Sequence, residues 1–194
     1  MMFLAALVLG FIFQQITCVT GGKIIFLGFT AKSRMQTRER IEITKAINTH
    51  CLHLDRETAY SFAKTILEES DRYGYDWELI LAIIITESQF DPWAKSHKGA
   101  RGLMQVMPNT AEWLSPQLGL EYEGFRSLYD PEYNIKLGTR YLYMMHQKYG
   151  DIEKAIAAYN RGPKGLARYT RRGRGLPSRY LDKVMTYYKE LKSS

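Results

Sequence analysis

Trp77-Glu78-Leu79-Ile80-Leu81-Ala82-Ile83-Ile84-Ile85-Thr86-Glu87 is the stretch whose reading decides the fold. Asp76 stands before it as a helix cap, and Leu79 to Ile85 are apolar around the whole circumference of a helix. A helix with no polar side must be surrounded by other elements. Trp77 to Glu87 therefore reads as the core helix of a domain built around it.

The flanking segments carry the signals of amphipathic helices. Upstream, Asp55 caps a helix in which Ala59, Phe62, Ala63, Ile66 and Leu67 follow the i, i+3, i+4 pattern, and Gly74 ends it. Downstream, Pro108 begins a first helical turn leading into Thr110, Ala111, Trp113 and Leu114. Asp130-Pro131 is an N-cap followed by proline at N1, and it opens a helix with Ile135, Leu142 and Met145 that Gly150 stops. Asp151 caps a short helix through Ala155, Ile156, Ala158 and Tyr159. Pro177-Ser178 opens the last, with Leu181, Val184, Met185, Tyr188 and Leu191 on one face. No stretch sustains period-two alternation, so a sheet of any size is not expected. Residues 55–194 are predicted to form a single, mainly α domain.

Composition agrees. A chain of 194 residues with 45% apolar, 24% charged and 13% aromatic content is too apolar for disorder and too short for two large domains. The net charge of +7 suits a polyanionic partner without choosing among them. Cys18 and Cys51 stand in no metal-ligand spacing, so neither a structural zinc nor a disulfide framework is expected, and no cofactor is implied.

The N-terminal region is different in kind. Met2 to Phe13 is apolar apart from Gly10, a length that suits a secretory h-region and is too short for the roughly 20 residues of a membrane span. Residues 1–30 are read as a signal peptide or, with Ile24 to Phe29 included, as a membrane anchor. Either reading puts the domain in the periplasm or cell envelope. Lys32, Arg34, Arg38 and Arg40 argue the other way, since a positive flank tends to hold the remainder of a chain in the cytoplasm. Residues 31–54, with Ile41, Ile43 and Ile47 sparsely placed, read as a linker or a weak helix.

The chemistry-bearing anomaly is Glu87, a carboxyl group at the C-terminal end of the apolar helix. The helix dipole and partial burial both disfavour its charged form there, so its pKa should rise. A carboxyl group protonated near neutral pH is what a general acid for glycoside cleavage requires. The alternative is a helix-end glutamate turned to water.

The residues around Glu87 go further. Glu87-Ser88-Gln89-Phe90-Asp91-Pro92, then Gly99-Ala100-Arg101-Gly102-Leu103-Met104-Gln105-Val106-Met107-Pro108, then Ala158-Tyr159-Asn160 closely resemble the bacterial soluble lytic transglycosylase (SLT) family. Asp130-Pro131-Glu132-Tyr133-Asn134-Ile135 with Gly138 extends the similarity, which runs from about Asp76 to Tyr188. The resemblance implies a goose-lysozyme-like helical domain that cleaves peptidoglycan, with Glu87 as sole catalytic acid and base. It implies that Gly102, Leu103, Met104 and Gln105 line a glycan groove, that Ala158, Tyr159 and Asn160 contribute to it, and that Tyr180 contacts Glu87. Physically, Gly102 lets backbone approach a ligand, Met104 offers a soft surface for a sugar face, and Gln105 and Asn160 can bond N-acetyl and hydroxyl groups. Ser88 either orients the Glu87 carboxyl or caps the helix end. Without the resemblance, Gly102 to Gln105 reads as an ordinary loop and Ala158-Tyr159 as an ordinary helix face.

Asp91, before Pro92, reads as a turn residue, which leaves no second carboxylate for the usual two-acid hydrolysis. The implied reaction is non-hydrolytic, closing a 1,6-anhydro ring on the muramic acid; a lysozyme-like hydrolase of the same bond is the alternative. The tail after Asn160 holds ten Lys and Arg against Asp182 and Glu190, a surplus of eight. That run admits a nucleic-acid-binding module as a rival of another class, or contact with wall-peptide carboxylates or anionic lipid. The four motifs in family order argue for glycan strands as the partner, with membrane anchoring and envelope-spanning machinery as further partners the leader admits.

Overall fold

The computed structural model describes residues 15–20, 23–28, 31–51, 54–173 and 175–193. The chain divides into two compact units between Glu39 and Arg40.

The first unit contains an antiparallel pair of strands, β1 (Gln15–Thr20) and β2 (Lys23–Gly28), in register from Gln15 opposite Gly28 to Thr20 opposite Lys23. This short pair lies outside residues 55–194, for which a mainly α domain is expected. Ile16, Thr17, Val19 and Thr20 on one side of Gly21-Gly22, and Ile24, Ile25 and Phe26 on the other, are β-branched and aromatic residues that favour strands. The part of the anchor reading that falls on β1 and β2 is thus extended backbone. The h-region reading of Met2 to Phe13 lies outside the described residues. Among the described residues, no helix is long and apolar enough to cross a membrane.

Residues 31–50, read from sequence as a linker or weak helix, form α1 (Ala31–His50). Its second half begins the other unit, where Ile43 and Ile47 are fully buried and Cys51 follows them into the core. Their spacing of four puts both on one helical face, and a single narrow stripe is enough for a peripheral helix to dock.

The helical unit continues with α2 (Arg56–Tyr73), α3 (Trp77–Ser88), α4 (Pro108–Leu114), α5 (Pro131–Tyr149), α6 (Ile152–Arg161), α7 (Pro163–Thr170) and α8 (Ser178–Ser193). α3 packs against α2 and α8, while α5 packs against α2 and α6. Every residue from Leu79 to Ile85 is at most 5% exposed, so α3 is enclosed as its all-round apolar pattern requires. Each large side chain in it contributes about 2 kcal/mol by burial.

The caps hold where they were expected, with one exception. The Asp55 carboxylate accepts the Thr58 N–H at 2.9 Å, Asp130 that of Tyr133 at 2.7 Å and Asp151 that of Lys154 at 2.8 Å. Gly74 and Gly150 end α2 and α5 in left-handed conformation. Asp76 makes no side-chain cap at the start of α3. Its carboxylate accepts instead from the Tyr188 hydroxyl and from Lys192 Nζ at 3.0 Å, both on α8, and Lys192 also reaches Glu78 at 3.4 Å. A local cap is exchanged for a tie that fixes α8 along α3. The basic stretch after Gly162 contains α7, for which Pro163 supplies the first helical position.

Candidate active site

The site starts where α3 stops. Gln89 and Phe90 both have positive φ, 52° and 65°, in succession, which costs energy for residues with side chains. Phe90 is fully buried, and that burial over-determines the turn. The helix therefore ends abruptly, with the Glu87 side chain leaving the apolar core at the groove floor.

Burial pushes the Glu87 carboxyl up to about 7 from the usual 4.5, against the opposing effects of a Tyr180 hydrogen bond and the Lys183 charge. The Tyr180 hydroxyl, on α8, donates to Glu87 Oε1 at 2.7 Å. Tyr159 on α6 lies beneath, its hydroxyl donating to the Met104 carbonyl at 2.7 Å. Burial, and then the nearby Glu87 charge, hold both phenols well above their ordinary range, so neither ionises in this setting. Ser88 does not reach its neighbour: its hydroxyl donates back to the Ile84 carbonyl at 3.2 Å, the helix-end role.

Across from Glu87 runs the loop between α3 and α4. Arg101 and Val106 exchange two backbone bonds of 3.0 Å, while the Ala94 carbonyl accepts from the Gly102 N–H at 3.0 Å and from Gln105 Nε2 at 3.2 Å. The loop is pinned from below by Asn134 on α5, which is fully buried. Asn134 Oδ1 accepts the Met104 N–H at 2.7 Å, and its Nδ2 donates to the carbonyls of Arg101 at 2.9 Å and Leu128 at 2.8 Å. Gly102 has φ +76°, and a Cβ on it would lie 2.2 Å from the Leu128 carbonyl and 2.3 Å from Asn134 Nδ2. Only glycine lets the loop sit this close. Gly138 plays the matching part on α5, where a Cβ would fall 2.5 Å from Met104 Sδ.

These contacts divide the residues singled out from sequence. Glu87, Gln105, Tyr159 and Asn160 line one groove of about 560 Å³, and Tyr180 lines an adjoining cavity of about 460 Å³ that shares Asn160. Gly102, Leu103, Met104 and Ala158 are buried and line neither. Met104 in particular, expected to meet a sugar face, is 0% exposed and packs on α5. The motif's apolar middle secures the loop, and only its last residue faces the groove. Asp91 is exposed, accepts the Trp93 N–H at 2.9 Å as a turn residue, and lines neither cavity. Among the described residues that line either cavity, Glu87, in the first, is the only carboxylate.

Sequence reasoning missed one wall of the groove. Arg161, Gly165, Arg168, Tyr169 and Arg172, from the end of α6, along α7 and just past it, line it together with His97 and Lys98. The spacing of Gly165, Arg168, Tyr169 and Arg172 follows one helical face, a signal that could have found them. Asn134, a polar residue beside Ile135 on the inward side of α5, is visible in the sequence only as part of a motif. Among the described residues, no group of three or more His, Cys, Asp or Glu could hold a metal ion.

Fold and site together define a lysozyme-like all-α domain that presents a single partly buried carboxyl group to an open groove. The chain matches the family described as Transglycosylase SLT domain over residues 64–181, and it belongs to that family. It is 34% identical over 180 residues to membrane-bound lytic murein transglycosylase C of Salmonella arizonae, covering 81% of this chain and 49% of that protein. It is 39% identical over 108 residues to membrane-bound lytic murein transglycosylase F of Desulfosudis oleivorans, covering 52% and 22%. The chain thus spans at most about half the length of these relatives. Among solved structures it is similar to an inactive mutant of the lytic transglycosylase Slt of Pseudomonas aeruginosa, with a TM-score of 0.61 and 27% identity over 84% of this chain and 29% of that one.

Proposed function

We propose that this chain is a peptidoglycan lytic transglycosylase that cleaves the β-1,4 bond between N-acetylmuramic acid and N-acetylglucosamine, with Glu87 acting first as acid and then as base. The observation that carries the reading is one carboxyl group, raised to about 7 and hydrogen-bonded by Tyr180, in a groove lined by no second carboxylate among the described residues. Protonated Glu87 gives its proton to the glycosidic oxygen as the bond to the muramic C1 breaks. The sugar's own acetamido group stabilises the positive charge at C1, the role a second carboxylate plays elsewhere. Glu87, now ionised and steadied by the Tyr180 hydroxyl, takes the proton of the muramic C6 hydroxyl as that oxygen closes on C1. The carboxyl group is restored, no water is consumed, and the new end is a 1,6-anhydro sugar.

Gln105 and Asn160 supply amide groups beside Glu87 for N-acetyl and hydroxyl groups of the strand. The export signal or anchor read in residues 1–30 is part of this proposal, and the membrane-bound relatives support an envelope location.

Digestion of purified sacculi followed by mass spectrometry tests the reaction. Anhydro-muramic ends, lighter by one water than reducing ends, are the expected product, and Asp91→Asn should cleave as wild type does. Reducing ends as the major product, together with loss of activity in Asp91→Asn, would establish a two-carboxylate hydrolase instead.

A further inference from the structure

The chain keeps large aromatic side chains in water beside the loop that forms the Glu87 groove. Trp93 is 71% exposed and Phe125 48% exposed, and with Arg126, Tyr129, Asp130 and Pro131 they line a cavity of about 600 Å³. It shares no lining residue with the groove or with the cavity that adjoins the groove. Trp and Phe surface left in water contributes nothing to folding, so rings exposed together point to a ligand.

These rings are exposed and yet held in place. Asp91 Oδ1 accepts the Trp93 N–H at 2.9 Å, which fixes the turn that presents the indole. The indole packs on the Tyr129 ring at 5.2 Å, with 35° between the planes. Arg101 braces the other two rings: its Nε donates to the Tyr129 hydroxyl at 3.2 Å, and its guanidinium lies over the Phe125 ring at 4.5 Å. A platform ordered before binding loses little side-chain freedom when it binds.

We propose that this cavity is a second glycan site, which seats a neutral N-acetyl sugar unit against Trp93 and Phe125 apart from the point of cleavage. This rests on the reading of the chain as an enzyme of glycan strands. Its volume falls within the roughly 300–1,000 Å³ of small-ligand sites, which suits sugar rings better than a flat protein face. Arg126 and Asp130, both exposed, give the lining one charge of each sign, so an uncharged ligand with donors and acceptors at its edge is the complement. A pyranose ring offers this combination: an apolar C–H face to lie on an aromatic ring, and hydroxyl and acetamido groups around it. Trp93 also directly precedes Ala94, whose carbonyl holds the Gly102 N–H and Gln105 Nε2. Cavity and groove are thus built on one loop, and a polymer of repeating units can supply rings to both.

The test titrates the full chain with a neutral trimer of N-acetylglucosamine and follows N–H signals by NMR. A site with a Kd of about 1 mM is nearly filled at about 10 mM trimer. The Trp93 indole N–H should shift to saturation while that of Trp113, which is also exposed, stays in place. Trp93→Ala should weaken the binding read at the Arg126 and Tyr129 backbone N–H groups about tenfold, and leave the Gln105 and Asn160 side-chain amides of the groove titrating as before. Arg126→Ala should weaken it about threefold, and Trp113→Ala should change nothing. On intact sacculi Trp93→Ala should raise KM with kcat held within about twofold.

A Trp93 signal unmoved at about 10 mM trimer would overturn the proposal. So would one that moves with the concentration of the chain and not with trimer, the mark of a face that joins two copies. Trimer seated at Trp93 by a chain that releases no anhydro ends would leave this site standing and remove the proposed activity. Anhydro ends released by a chain whose Trp93 signal never moves would do the reverse.

Discussion

The Tyr180 hydroxyl donates to Glu87 Oε1 across 2.7 Å, joining two residues 93 positions apart in the chain. The bond depends on how α8 lies along α3, and that is set at the far end by Tyr188 and Lys192 on Asp76. Burial raises the carboxyl group while Tyr180 restrains the rise. The two effects together leave a group able both to give and to retake a proton near neutral pH.

Glu87→Gln should abolish turnover with folding intact. General acid and base catalysis is worth about 10²- to 10⁴-fold, so residual activity above about a tenth would show that another group is the acid. Rates of muropeptide release measure this directly.

The same substitution should change how stability depends on pH. The folded chain holds the Glu87 proton more tightly than the unfolded chain, because the value is raised from 4.5 to about 7. The associated stability is therefore fully present below about 4.5 and lost as pH rises through about 7. Wild type should lose up to about 3 kcal/mol over that interval, less whatever the open groove screens. Glu87→Gln, which cannot ionise, should lack this step. Urea unfolding at pH 4.5 and pH 8 for both chains gives the comparison.

Tyr180→Phe removes a donor that lowers the Glu87 value, so that value should climb further. The alkaline limb of kcat/KM should move to higher pH while kcat falls about tenfold, because the carboxylate formed after proton donation loses its hydrogen bond. A limb that stayed in place would show that the tyrosine does not tune the acid.

Gly102→Ala should displace the loop that carries Gln105. Its Cβ would meet the Leu128 carbonyl at 2.2 Å, a backbone atom with no room to withdraw. A cost of about 2 kcal/mol or more in unfolding is expected, with activity falling beyond what the unfolded fraction explains. Asn134→Ala attacks the same loop from below by leaving its three bonded backbone groups without partners, and should cost about as much or more.

A chain beginning at Asp55 should be less stable than one beginning at Arg40. The shorter chain lacks Ile43 and Ile47, both fully buried, which together contribute about 4 kcal/mol. Thermal unfolding of the two should separate them by several degrees, about 2–4 °C for each kcal/mol lost.

Local signals determined much of this protein. The all-apolar α3, the caps at Asp55, Asp130 and Asp151, and the prolines that open α4 and α5 are legible because each depends on residues within a turn or two. Glu87 was legible for the same reason, since a carboxyl group at the end of such a helix must be partly desolvated. Other features depend on partners distant in sequence, and no window along the chain contains them. Asp76 forgoes its cap because α8 brings Tyr188 and Lys192 to it, and Met104 is turned into the core because Gly138 makes room on α5. The second half of α1 is part of the domain because a core surface is there to receive Ile43 and Ile47, and Arg161, Arg168 and Arg172 share one groove with Glu87 because α7 packs on α6. Sequence thus identified the residue whose chemistry is unusual, while only the packing of helices decided which groups surround it, because burial and charge act through space and not along the chain.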